Sequence, residues 1–272
     1  MSDTQVAAES KVKITRDGDV AILTMTDPAT MNAAGVDMAA DLTTAIKSVV
    51  DGDNPARAIV LTGEGRGFCS GANLTSVGPR TATTPGRPAG AGDALKTVYN
   101  PLITLIRDLP IPIVTAVNGA AAGVGCSFAL MGDLIVAGES AYFLQAFRRI
   151  GLIPDGGSTY LLPRMIGRAR AMEMTLLGER LPAAKALEWG LINRCVPDAE
   201  LMPTALGLAQ ELARGPKSLS LIRRALWASL DADFAEQLDY EANTQNEAGR
   251  SQDFIEGVQA FLQKRPAVFK GK

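Results

Sequence analysis

The chain has 272 residues, 47% of them hydrophobic, with 27 basic and 29 acidic side chains and a formal net charge of −2. That balance describes a globular protein with ample core and gives no general attraction for a phosphate polymer, so nucleic acid is not an expected partner. Histidine is absent, which excludes His-based acid/base catalysis, Ser-His-Asp and Cys-His arrangements and most zinc sites, so no metal is expected and proton transfer must use Asp, Glu, Lys, Tyr or Cys.

In chain order, Val12 to Thr15 and Val20 to Met25 are apolar or alternating around Asp17-Gly18-Asp19, the pattern of a hairpin. Met38, Leu42, Ile46, Val49 and Val50 recur at helical spacing, and Ala58 to Thr62 is a short buried strand ending in a glycine-rich stretch. Pro79 to Asp93, rich in Pro, Gly, Thr and Ala, reads as a loop; a lid and a plain insertion both fit it. Between Asp108 and Asp133 the chain carries no charge, a length able to cross a bilayer, but Pro110, Pro112, Asn118, Gly119, Gly123 and Gly125 interrupt it. The segment reads as a strand at Ile113 to Val117, a turn and a small-residue helix, followed by a strand at Leu134 to Ala137, and no membrane association is expected.

Pro182 to Trp189 followed by Gly190 predicts a short helix. After about Val196 the strand signals stop and three or four helices fill the chain, one with the stripe Leu219, Ile222, Leu226, Leu230. Alternating strands and helices predict an α/β fold in layers, residues 1–197 forming the core that carries the site and 198–272 a helical C-terminal region. Cys69, Cys126 and Cys195 lack CxxC spacing and suit reduced thiols in a cytoplasm, and Met1 to Arg16 has no apolar core of the signal-peptide kind.

Two glycine-rich turns stand between a buried strand and a helix, Gly67-Phe68-Cys69-Ser70-Gly71-Ala72-Asn73-Leu74 and Asn118-Gly119-Ala120-Ala121-Ala122-Gly123-Val124-Gly125-Cys126-Ser127. Such turns expose backbone N–H groups and favour developing negative charge. Neither carries a nucleotide-binding motif, and singly each is explained by glycine allowing close backbone packing. Together, and followed by Ile150-Gly151-Leu152-Ile153-Pro154-Asp155-Gly156-Gly157-Ser158-Thr159 and by a tail from Asp253 to Gly271, they resemble the crotonase superfamily of enoyl-CoA hydratases and isomerases over nearly the whole chain.

That resemblance implies a crotonase-like spiral of repeated ββα units, a helical C-terminal region that builds a homotrimer or a hexamer made of two trimers, and an acyl-CoA thioester as substrate, with no cofactor beyond the coenzyme A that the substrate carries. It implies an oxyanion hole from the backbone N–H groups of Ala72 and Val124, with Gly123 as the register alternative. It also implies coenzyme A contacts from Ala33, Ser70, Gly71, Asn73, Leu74 and Gly123, and from Lys264 and Lys270 of a neighbouring subunit. The positions where the hydratases of the superfamily carry two glutamates correspond to Ser127 and Phe147, so hydration by paired carboxylates is not expected.

Asp155 is the only ionisable carboxylate from Ile150 to Leu162, and a desolvated carboxylate is a stronger base. It corresponds to the single acid of several enoyl-CoA isomerases in the superfamily. As a residue it equally suits a cap on the helix that begins near Gly156-Gly157. Glu139 reads as a turn residue after a strand, Glu64 as solvated, Cys69 and Cys126 as inert thiols, and Tyr160 as a second proton donor or a core aromatic. The expected activity is a double-bond shift through a thioester enolate; an enoyl-CoA hydratase or lyase and a silent acyl-CoA-binding protein are the alternatives.

Overall fold

A computed structural model describes residues 10–73 and 91–272. Strands β1 (Val12–Asp17) and β2 (Val20–Met25) form the expected hairpin, with Gly18 at φ 57° in the turn. Helix α1 (Val36–Asp51) returns the chain to β3 (Ala58–Gly63), which pairs parallel to β2. From β3 onward one grammar repeats. A strand of a six-stranded sheet is followed after a tight bend by a three-residue strand of a second sheet, and then by helix.

The first round is β3 and β4 (Gly67–Cys69), with helices α2 (Ala91–Ala94) and α3 (Asn100–Arg107). The second is β5 (Ile113–Val117), β6 (Ala120–Ala122) and α4 (Val124–Leu130). The third is β7 (Leu134–Gly138), β8 (Tyr142–Leu144) and α5 (Ser158–Leu177). Strands β9 (Leu181–Pro182) and β10 (Arg194–Val196) flank helix α6 (Ala183–Trp189), which ends at Gly190 with φ 79°. The large sheet runs β1-β2-β3-β5-β7-β10 and the small one β4-β6-β8-β9, so the chain winds as the spiral of ββα units that the resemblance implies.

The central strands are buried on both faces, which is why they read as continuous apolar runs. Side chains alternate: Ile59, Leu61, Ile113, Val117 and Ile135 face the main core with α1, α3 and α4, while Ala58, Val60, Val114, Ala116 and Val136 face helix α7 (Leu201–Ala213). Helix α7 supplies Leu201, Ala205, Ala209 and Ala213, spaced one turn apart and closing the second face of the sheet. Its small residues let helix and sheet approach closely.

Helices α8 (Ser218–Ala228), α9 (Phe234–Ala248) and α10 (Gln252–Gln263) complete the chain, four helices in all after Val196 among the described residues. Arg223 on α8 is their anchor. Its guanidinium donates to both Asp133 oxygens at 2.8 Å, to Ile106 O at 2.7 Å, to Leu109 O at 3.0 Å and to Arg107 O. A charge this buried is tolerable because carbonyls and a carboxylate take its protons. Beyond it, α9 has no buried side chain and α10 leaves Phe261 83% and Leu262 74% exposed. No helix among the described residues is long and apolar enough to cross a membrane.

Candidate functional site

Four of the singled-out positions of the core occupy equivalent places: each follows the small-sheet strand of its round. Ala72 comes after β4, Val124 after β6, and Phe147 and Asp155 after β8. Because these strands lie side by side, Gly67 opposite Ala120 with a register shift before Cys69 and Ala120 opposite Tyr142, residues far apart in sequence arrive together.

Glycine sets how closely they meet. A Cβ on Gly71, whose φ is 102°, would stand 2.9 Å from the Ala122 carbonyl oxygen and 3.7 Å from Gly123 Cα. On Gly125 it would stand 2.2 Å from the Cys69 oxygen, and on Gly119 2.1 Å from that of Arg66. The first turn therefore lies against the second, which explains both glycine clusters.

Of the backbone donors, Gly123 N–H is consumed by Leu144 O at 2.9 Å, so it is not free for a ligand and the register alternative falls. Val124 is the first residue of α4, where an amide has no intrahelical acceptor, and neither it nor Ala72 N–H has an acceptor among the described residues. Ala72 is held by a parallel bridge to Ala34, whose N–H donates to Gly71 O at 2.7 Å and whose carbonyl accepts from the Tyr99 hydroxyl at 2.6 Å. Two asparagines fix the loop before it. Asn32, at φ 56°, donates to Gly67 O at 2.8 Å and Glu64 O at 3.0 Å, and Asn118 donates to Gly65 O at 2.8 Å. Tyr99, Asn32 and Asn118 carry no sequence signal of this role beyond the tolerance of Asn for left-handed backbone.

Asp155 lies on the turn that leads into α5. Gly156, at φ 58°, packs so tightly that a Cβ there would come 2.7 Å from Ser127 Cβ and 3.5 Å from Val124 Cγ2, which puts the acid's turn against the Val124 side chain. Its Oδ1 is buried without a hydrogen-bond partner, and burial alone pushes the carboxyl up to about 6 from 3.8. The cap reading fails. Gly157 is the N-cap of α5 with no side-chain cap bond, and only the Asp155 carbonyl receives the Ser158 N–H. Burial first, and then the charge of Asp155, hold the Tyr99 phenol above its ordinary range, so tyrosine and carboxylate share one neighbourhood.

At the two positions assigned to glutamates in the hydratases, the completely buried Ser127 donates to Asp155 O at 2.9 Å, and Phe147 presents an apolar edge whose Cζ is 3.9 Å from a Cβ built on Gly123. Cys69 and Cys126 are buried thiols pushed up to about 11 and about 12, chemically quiet. Tyr160 gives its hydroxyl to Asp231 at 2.8 Å beside a cavity of about 420 Å³ lined by Ile103, Met131, Leu161 and Trp227, with Gly157 also on its wall.

The remaining contact residues divide. Ala33, Ser70, Gly71, Asn73 and Gly123 lie on or beside the crossed turns, with Ser70 Oγ donating to Thr30 O at 2.8 Å. Leu74 and residues 79–90 of the loop reading fall outside the described residues, while 91–93 already belong to α2. Lys264 is the left-handed C-cap of α10, and Lys270 N–H is bound by Asp253 Oδ1 at 2.7 Å. Lys270 lines a groove with Asp19 and Arg57, at the entry ends of β2 and β3, so within one chain it stands at the opposite end of the parallel sheet from the crossed turns.

The enoyl-CoA hydratase/isomerase family matches over residues 15–272. A 1,2-epoxyphenylacetyl-CoA isomerase of Escherichia coli is 44% identical, covering 93% of this chain and 95% of its own. A protein of Rhodobacter capsulatus named as a probable enoyl-CoA hydratase is also 44% identical over the same shares. The solved structure of an enoyl-CoA hydratase subunit I from Geobacillus kaustophilus superposes with a TM-score of 0.87 at 32% identity, covering 96% of this chain and 98% of its own.

Proposed function

The chain belongs to the enoyl-CoA hydratase/isomerase family, and from that premise we propose that it is an acyl-CoA isomerase working with one acid/base, Asp155. The observation that carries this reading is the single desolvated carboxylate, its Oδ1 without a partner among the described residues, on a turn packed against Val124, whose amide like that of Ala72 has no acceptor there, with serine and phenylalanine where the resemblance assigns the hydratases' glutamates. The names of the relatives point both ways. The side chains favour isomerisation, because adding water needs a second polar group to hold it, and Phe147 offers none.

On this reading the Asp155 carboxylate takes a proton from the carbon next to the thioester carbonyl of a 3-enoyl-CoA. The electron pair spreads onto the carbonyl oxygen as a dienolate, where the N–H groups of Ala72 and Val124 hydrogen-bond it, each worth roughly 3 kcal/mol in the transition state. Protonated Asp155 then returns the proton to the far end of the dienolate, leaving the double bond conjugated with the thioester. An acid/base with a pKa of about 6 does both halves well near neutrality. The coenzyme A lies along Ala33, Ser70, Gly71, Asn73, Leu74 and Gly123, with Lys264 and Lys270 reaching it from a neighbouring subunit. The apolar surface left by Phe254, Phe261 and Leu262 on α10 supports assembly as a trimer or a pair of trimers. Three free thiols support a cytoplasmic setting.

The test is ultraviolet absorbance of the conjugated thioester when the protein meets a 3-enoyl-CoA, run beside Asp155→Asn. Conjugation gained by the wild type and lost by the variant, with no 3-hydroxyacyl product, is the expected result. Formation of 3-hydroxyacyl-CoA from a 2-enoyl-CoA instead makes the protein a hydratase, and binding of both without turnover makes it a silent acyl-CoA binder.

A further inference from the structure

Beneath Asp155 lies a short chain of polar side chains, all completely buried: Gln145, Ser158 and Ser127. The links are Gln145 Nε2 to Ser158 Oγ at 3.1 Å, Ser158 Oγ to Ser127 Oγ at 2.7 Å, and Ser127 Oγ to the Asp155 carbonyl oxygen at 2.9 Å. The direction of every proton follows from the chemistry of the last acceptor. A carbonyl only accepts, so Ser127 spends its one proton on Asp155. Ser158 must then donate to Ser127, which leaves Ser158 Oγ to accept from the Gln145 amide. The Ser158 N–H reaches the same carbonyl at 3.1 Å, so the main chain of Asp155 is clamped twice while its Oδ1 has no hydrogen-bond partner among the described residues.

The arrangement carries a cost. Gln145 Oε1 is buried without a partner, an expense that an apolar side chain of similar size avoids. The residues join three places that matter: Ser127 is on α4, three residues beyond Val124; Ser158 opens α5; Gln145 directly follows β8. Their common end is the backbone of the acid.

We propose that Gln145, Ser158 and Ser127 are positioning residues, a one-directional hydrogen-bond relay that fixes the Asp155 main chain so that its carboxylate stays aimed at the carbon beside the thioester. The inference rests on Asp155 being the base. Ser127 touches the acid's backbone, Ser158 acts through Ser127, and Gln145 acts through Ser158, so the effect on turnover must fall along the relay. The expected cost in stability follows another order, because Gln145 is the largest of the three side chains.

The experiment is isomerisation of a 3-enoyl-CoA by Ser127→Ala, Ser158→Ala and Gln145→Leu, with kcat, KM, the pH profile and Tm measured for each, beside Asp155→Asn. The relay predicts that kcat falls about 10–100-fold in S127A, about 3–10-fold in S158A and about 2-fold in Q145L, with KM within about 2-fold throughout. It also predicts that the acid limb of S127A moves down from about 6 toward the ordinary carboxylate range as water reaches the loosened group. A kcat loss that tracks the loss of Tm across the series, or S127A with unchanged kcat and acid limb, overturns it. Should S127A not fold, Ser127→Cys replaces it, keeping a weak donor, and is expected to fall between wild type and S158A. If Asp155→Asn is fully active the base assignment itself fails; if that variant is dead while the serine variants are normal, only the relay fails.

Discussion

The turn from Gly67 to Asn73 and the turn from Gly119 to Cys126 lie against each other, and each carries one amide without an acceptor among the described residues, but they are held by different forces. The first is tied by side chains from elsewhere: Asn32 and Asn118 bind the Gly67 carbonyl, Ser70 binds Thr30, and Tyr99 binds the Ala34 carbonyl behind Ala72. The second is set by contact. Gly119 and Gly125 sit where the first turn's carbonyls leave no room for a Cβ, and every residue of α4 is buried. A turn tied by hydrogen bonds loses its geometry in increments of about 1 kcal/mol per bond. One set by steric exclusion yields abruptly.

The largest expected effect therefore belongs to the second turn. Gly125→Ala puts a methyl 2.2 Å from the Cys69 oxygen and is predicted to cost about 3 kcal/mol or more, read as a lowered Tm with loss of the proposed isomerase activity. Next, Val124→Pro removes the amide proton at the first helical position, where proline is at home. Its kcat is expected to fall about 10²–10³-fold, well beyond the loss in a variant such as Val124→Ala that keeps the amide proton while trimming the same buried side chain; a variant with normal kcat would remove Val124 N–H from the mechanism. Tyr99→Phe deletes one tie of the first turn and leaves a buried carbonyl short of a donor, with an expected loss of about 1–2 kcal/mol in chemical denaturation and a smaller fall in kcat than V124P.

The last effect is a gain in stability. The folded state holds the Asp155 carboxyl at about 6, above the unfolded value of 3.8, so between those pH values the native protein binds more protons than the unfolded chain. Stability from this group is present at low pH and lost as pH rises toward 6. Asp155→Asn removes the desolvated charge and is expected to raise stability above pH 6 by about 1–2 kcal/mol, less than the full shift because the carboxyl stays partly hydrated.

The same contrast explains what the sequence disclosed. The long strands announced themselves because Ala58 to Thr62 and Ile113 to Val117 are uninterrupted apolar runs, and Asp155 because it is an isolated acid among apolar and small residues. Strands β4, β6 and β8, three residues each, were not legible: Gly67–Cys69 and Ala120–Ala122 are too short for a period and too small to look like strands. The ties of the first turn were invisible for another reason. Tyr99 meets Ala34 across 65 residues and Asn118 meets Gly65 across 53, distances over which a local pattern says nothing. The relay from Gln145 to Ser127 escaped reading likewise, since only folding brings Gln145, Ser158 and Ser127 together.

The central claim is that one desolvated carboxylate, with no second acid, performs the proton transfers. The pH dependence of kcat/KM for isomerisation of a 3-enoyl-CoA tests it most directly, because that profile reports the ionisation of the free enzyme's essential group. The expected profile has a single acid limb near pH 6, with the deprotonated form active and the limb abolished in Asp155→Asn. A limb near pH 4, or one that persists in that variant, would contradict it.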